Sequence, residues 1–328
     1  MALKVLNNEN LMVRMDKRNR RVSARNLSSA AASHGASRPS HGYHLVDPSP
    51  WPILTRLCLL WLTTSMVLVF HQYAGAPTVA TAAFLCLAYT ASLWWRDVSR
   101  EGVLGFHTGK VKAGLHLGML LFIWSEAMFF VGLLWAWFHR ALMPTVLIGM
   151  SWPPLGIVPV ELFGLPKTNT LLLLRSYFTA NAAKHAVDTG NMKAVRLHLR
   201  TTIGLGVLFM YCQYLEYTGA AFTFSDSVFG GAFYLITGFH GLHVLLGRLY
   251  LGVCYLLLPS TKPGHTTAMD LAILYWHFVD IVWVFLLLIV YAWGCAVPAP
   301  EISACADGSC SLATILYEAK AHSFAHPA

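Results

Sequence analysis

Three groups of ionisable residues stand inside long apolar stretches of this sequence, where each could do chemistry. The first is Glu126, whose helical face is otherwise Met119, Phe122, Phe130, Leu133 and Trp137, so its own helix offers it no cation. A carboxylate withdrawn from water in lipid costs about 3 kcal/mol or more, so it needs a proton, a partner or water. Two readings stay open for it: a neutral carboxyl hydrogen-bonded to a neighbouring helix, or a lipid-linked or proton-linked site. The second group is His240 and His243, which share a face at i, i+3. They could approach a metal or haem. No second histidine pair stands at the depth that bis-histidine haem ligation needs, which favours structural, hydrogen-bonded imidazoles. The third is His277 and Asp280, whose i, i+3 spacing lets the ring donate to the carboxylate. Such a dyad can shuttle protons, but no Ser or Cys nucleophile is in register. Among interfacial aromatic residues it also serves as a polar anchor, and that reading is the stronger. Arg175 is expected to reach outward or to pair with a carboxylate such as Glu126. No Walker, Rossmann or zinc motif is present.

The elements that position these residues are membrane spans. Of the 328 residues, 56% are hydrophobic and only 12% charged, and the mean hydropathy is +0.54, outside the range of soluble globular domains. Apolar runs of roughly 20 residues, each enough to cross a bilayer, recur from 51 to 294. They predict seven helices, at 51–72, 77–97, 115–138, 165–185, 200–219, 230–258 and 270–293. The fold class is therefore an all-α polytopic membrane protein, with a basic extension at 1–40, a membrane domain at 41–294 and a tail at 295–328. In the sixth helix Gly231, Gly238, Gly241 and Gly252 gather roughly opposite the histidines, which suits close packing against another helix.

Basic residues set the orientation, because loops rich in Lys and Arg stay on the inner side. On this reading 18 of the 23 Lys and Arg residues fall on one side, eight of them in residues 1–40, which places the N-terminus inside and the C-terminus outside. The net charge of +8 is thus mostly local and implies contact with anionic lipid or topology, with no nucleic-acid partner. The Arg- and Ser-containing start also suits a mitochondrial transit peptide. Cys58, Cys86, Cys212 and Cys254 are scattered through separate helices without metal-ligand spacing. Cys295, Cys305 and Cys310 lie in the outer tail, where a disulfide is one reading.

Seven stretches, in order, carry a resemblance. They are His41-Gly-Tyr-His-Leu-Val-Asp-Pro-Ser-Pro-Trp-Pro52, Trp94-Trp-Arg-Asp97, Gly118-Met-Leu-Leu-Phe-Ile-Trp-Ser-Glu126, Trp152-Pro-Pro-Leu-Gly-Ile157, Glu216-Tyr217, Thr237-Gly-Phe-His-Gly-Leu-His243 and Tyr275-Trp-His-Phe-Val-Asp280. Over about residues 41–294 the chain resembles cytochrome c oxidase subunit III. The resemblance implies seven transmembrane helices in a two-helix plus five-helix bundle with a lipid-filled cleft. It implies an accessory core subunit of the proton-pumping haem-copper terminal oxidase that passes electrons from cytochrome c to oxygen. Such a subunit holds lipid, stabilises the catalytic subunit and supports proton uptake. It is a non-redox part of the enzyme: no cofactor is bound by this chain, and haem a and copper belong to partner subunits I and II. Other oxidase subunits and a respiratory supercomplex are further implied partners, and phospholipid (cardiolipin, phosphatidylglycerol or phosphatidylethanolamine) is the implied ligand.

Residue by residue, the resemblance makes Glu126 the buried carboxylate of the lipid cleft and assigns headgroup contact to Trp94, Trp95, Arg96, Glu101 and His107. The family's fourth helix ends Trp-Ala-His-His, whereas this chain has Ala182-Ala183-Lys184-His185. Contact with lipid or with the buried carboxylate then falls to Lys184 or His185. Arg175 replaces a small residue, and Leu147-Ile148-Gly149 replaces Glu-Leu-Gly. The implied location is the mitochondrial inner membrane, with the N-terminus in the matrix and the C-terminus in the intermembrane space, or else a bacterial plasma membrane. Rival functions are a quinol oxidase subunit of the same fold, a haem protein using His240 or His243, and a transporter using Glu126 and Arg175.

Overall fold

The computed structural model describes residues 43–258 and 266–294, and among them every regular element is helical. Seven α-helices follow one another: α1 Trp51–Phe70, α2 Ala76–Leu104, α3 Gly109–Leu142, α4 Leu165–Asp188, α5 Met192–Gly219, α6 Val228–Leu257 and α7 Thr267–Leu286, the last continued by a π-helical turn, Leu287–Trp293. Three of them start with a proline in the first turn, Pro52, Pro77 and Pro166, where the missing N–H leaves no bond unmade. Others start on side-chain caps. The Ala194 N–H donates to Asn191 Oδ1 at 3.2 Å at the head of α5, and the Phe229 N–H donates to Ser227 Oγ at 3.0 Å at the head of α6.

Among the described residues, five helical stretches are long and apolar enough to cross a membrane: α1, α2, α3, α6, and α7 with its π turn. Their lipid-ready faces show in side chains such as Phe84, Leu121 and Trp124, which are 58%, 61% and 66% exposed. Large apolar groups left open at that density need lipid or another subunit over them. Helices α4 and α5 are less apolar because they carry Lys167, Arg175, Lys184 and Asp188, and Lys193, Arg196, Arg200 and Glu216.

Two compact units divide within α3, at Gly114 and Leu115. In the first, α1 packs on α2, and the free thiols of Cys58 and Cys86 lie 3.2 Å apart. In the second, α4 packs on α5 and on α7, and α6 packs on both α5 and α7. Trp276 anchors that core. Its indole is fully buried, and a Cβ added at Gly206 of α5 or at Gly247 of α6 would come within 2.9 or 3.0 Å of it.

The structure corrects the expected packing of α6 and several helix ends. Cβ atoms at Gly241 and Gly252 would meet nothing within 4 Å, and those at Gly231 and Gly238 would make only ordinary contacts. Close approach runs instead through Gly247, where the large ring of Trp276 fills the space. Helix α2 continues to Leu104 rather than 97, and α5 starts at Met192 rather than 200, because charged turns outside an apolar run remain helical. The basic extension, Lys262, the cysteines of the tail and His41 lie outside the described residues.

Candidate functional site

Helix α2 ends in a polar cluster within the first unit. Gly105 stops the helix in the left-handed conformation, φ +94°, and the Phe106 N–H donates back to Glu101 O at 3.1 Å. This reversal brings His107 back over Glu101 and Gly102, where a Cβ on residue 102 would lie 3.1 Å from His107 Nδ1. His44, from the segment before α1, completes the group: His44 Nε2 is 3.5 Å from Glu101 Oε2, and its ring centroid is 5.5 Å from that of His107.

One turn earlier, Asp97 gathers the cations. Arg96 Nε donates to Asp97 Oδ1 at 2.9 Å, Arg100 Nη1 lies 3.6 Å from the same oxygen, and Trp51 Nε1 donates to Asp97 Oδ2 at 2.7 Å. The Asp97 carboxyl is therefore ringed by two guanidinium groups and an indole. Trp95 is 71% exposed beside this charge, and Trp94 is partly buried. An open cleft of about 370 Å³ adjoins the cluster, between the 45–51 segment and Asp97, Arg100, Glu101, Leu104 and Phe106. Of the residues implied to touch a lipid headgroup, all five stand at this end of α2 or just beyond it. His44, Asp97 and Trp51 join them without having been singled out, although each stands in one of the quoted motifs.

Glu126 has a partner on another helix. His243 Nε2 lies 3.0 Å from Glu126 Oε2, and His243 Nδ1 lies 2.7 Å from Phe239 O. A carbonyl only accepts, so Nδ1 carries a proton and donates it to Phe239 O. A single further proton then occupies the Nε2 to Oε2 line, on one atom or the other. In both arrangements the pair is neutral or internally compensated, which suits a site walled by Phe130 and Tyr275. Of the two readings of Arg175, its exposure on α4 agrees with the outward one, while Glu126 takes His243 as its partner; Lys184 and His185 are exposed as well.

The other histidines are also engaged. Fully buried His240 donates from Nε2 to Val279 O at 3.3 Å, among Trp283 and Phe209. His277 stands between two partners. Its Nδ1 faces Asp280 Oδ2 at 3.7 Å, an ion-pair contact at the expected i, i+3 spacing though long for a hydrogen bond, while its Nε2 donates to Asn181 Oδ1 at 3.2 Å and its ring lies tilted against that of Tyr177. Sequence reading missed a buried network around Glu216, which accepts at Oε1 from Gln213 Nε2 at 3.1 Å and from the Tyr291 hydroxyl. Asn169 Nδ2 in turn donates to Gln213 Oε1 at 3.4 Å. The available signals were polar residues within apolar periodicity and the place of Glu216 in a quoted motif, Glu216-Tyr217.

Helices with lipid-ready faces, a compensated carboxylate inside them and a charged aromatic cluster at a helix end define a polytopic helical membrane protein. Residues 41–295 match the family model for cytochrome c oxidase subunit III. Cytochrome c oxidase subunit 3 of Prototheca wickerhamii is 45% identical over 257 residues, 77% of this chain and 98% of its own. That of Emericella nidulans is 45% identical over 258 residues, 78% and 96% of the two chains, and that of Cyprinus carpio 43% over 258, 78% and 98%. The chain belongs to the cytochrome c oxidase subunit III family and is a subunit of that terminal oxidase.

Proposed function

We propose that the chain is an accessory, non-redox core subunit that holds phospholipid, stabilises the catalytic subunit and supports proton uptake. The observation that carries this is the end of α2, where an exposed tryptophan, Trp95, stands beside the Arg96, Asp97 and Arg100 cluster next to an open cleft. Indole and guanidinium groups at a membrane-water boundary suit a phospholipid headgroup. The pairing of His243 with both Phe239 O and Glu126 favours a proton-holding role for that carboxylate over haem ligation. On this reading all seven helices cross the mitochondrial inner membrane, with the N-terminus in the matrix. Subunits I and II carry haem a and copper, and cytochrome c is the donor rather than quinol.

Purification in mild detergent through a tag on this chain tests the proposal. Haem a, subunits I and II and tightly held phospholipid should co-purify, and stripping the chain away should leave the haem with its partners. Trp95→Ala should lower retained phospholipid, read by mass spectrometry of the extract. Haem remaining on the isolated chain, or unchanged lipid in the variant, would overturn it.

A further inference from the structure

We propose that His44, Glu101 and His107 form a binding site for one divalent transition-metal ion, with zinc(II) the best fit. One donor atom from each residue lies within 4.8 Å of the other two. The 3.5 Å between His44 Nε2 and Glu101 Oε2 is too long for a hydrogen bond. It is close to the edge of a zinc tetrahedron, about 3.3–3.4 Å for bonds of about 2.0–2.1 Å.

Local backbone builds this arrangement. The left-handed turn at Gly105 folds residue 107 back onto the helix, and Gly102 supplies the bare surface on which the His107 ring rests. The charges nearby are sorted to match. Arg96 and Arg100 go to Asp97, so among the described residues Glu101 pairs with no lysine or arginine and its carboxylate faces the two imidazoles. Two nitrogens and one carboxylate oxygen select zinc or a similar ion over magnesium and calcium, which prefer all-oxygen sites. Three protein ligands leave a fourth position for water or another oxygen donor. The side chains of His44 and Glu101 are 38% and 24% exposed, so an ion reaches the site from water.

This goes beyond the lipid reading although it shares Glu101 and His107 with the headgroup contacts the resemblance implies, and Trp95, which is no part of the metal group, tells the two apart. The test uses the full chain in lipid nanodiscs, freed of metal with a chelator and titrated with Zn2+ against a chromophoric competitor. One equivalent should bind, and Co2+ in its place should give the intense visible bands of a tetrahedral site. His44→Ala, Glu101→Gln and His107→Ala should each weaken zinc by at least about 10-fold, since even losing a group that only orients a ligand costs about 10- to 100-fold. Trp95→Ala should leave zinc affinity unchanged while it lowers retained phospholipid, so that failure of either reading shows by itself. Circular dichroism of each variant verifies that the helices are intact, and His44, in an exposed segment, is the substitution least able to disturb them. Uptake of less than one equivalent by the parent chain, or binding that survives all three substitutions, would overturn the assignment.

Discussion

Glu126 on α3 and His243 on α6 face each other at 3.0 Å across 117 residues of sequence, with one proton on the line between them. Because Phe239 O fixes the other ring nitrogen as a donor, the pair needs both members. Removing His243 leaves the carboxyl, 25% exposed, beside an apolar wall without this partner, and an orphaned buried polar group costs about 1–3 kcal/mol, of which a partly exposed one loses the lower end. His243→Ala should therefore destabilise the subunit by about 1 kcal/mol. In Glu126→Gln the amide N–H donates to the neutral Nε2, so the loss should be smaller. Thermal unfolding of the purified complex compares the two, and a Gln variant as damaged as the Ala variant would contradict the shared proton.

Trp276 gives a packing prediction. Its indole donates to Ser176 Oγ at 3.0 Å and lies between Gly206 and Gly247. Gly206→Ala and Gly247→Ala each push a methyl group onto a ring held by that bond, and overpacking of this kind costs about 1–3 kcal/mol. Since both act on one ring, the double variant should depart from the sum of the singles. Urea or thermal unfolding in detergent reads this, and two neutral alanines would show the ring free to shift. The same changes at Gly241 and Gly252, which face open space, should be nearly silent.

Five of the described helices were legible because runs of about 20 apolar residues leave a chain few alternatives in lipid, where every backbone polar group must be bonded internally, whereas α4 and α5 carry charges that weaken the signal. Their ends were less so. Asp97, Arg100 and Glu101 belong to the last turns of α2, and Lys193 and Arg196 to the first turns of α5, because a helix leaving the membrane keeps its backbone bonds while its side chains turn polar. Glu126 stood out as a carboxylate without a partner on its own helix. Its partner could not be read, because pairing with His243 depends on how α3 and α6 pack. Local spacing gave half of the His277 contacts: i, i+3 set its Nδ1 against Asp280, while the Nε2 bond to Asn181, 96 residues earlier, depends on how α4 and α7 pack.

Glu216 should behave as the hub of its buried network. It is 3% exposed and accepts from both Gln213 and Tyr291. Glu216→Ala strands two buried donors, each worth about 1–3 kcal/mol. Glu216→Gln keeps an acceptor oxygen and should cost less. Tryptophan fluorescence on unfolding follows both, since Trp283 is adjacent to Tyr291, and equal losses would mean the network contributes no specific bonds.

Asp97 controls how much positive charge the end of α2 presents. It takes Arg96, the more distant Arg100 and the Trp51 indole at once. Asp97→Asn keeps an oxygen for the indole but releases two guanidinium groups, of which Arg100 lines the cleft. Exposed ion pairs of this kind contribute only about 0–1 kcal/mol to stability, so the fold should survive. The lipid preference should not. Freed arginines attract anionic headgroups at about 1 kcal/mol per cation near a membrane surface, so phosphatidylglycerol and cardiolipin should gain over phosphatidylethanolamine. Mass spectrometry of lipid retained from a mixed bilayer measures the ratio, and raised salt should shrink the change because the added attraction is screened. An unchanged ratio would mean that Arg96 and Arg100 do not meet the headgroup, leaving Trp94 and Trp95 to hold the lipid by its glycerol and acyl chains.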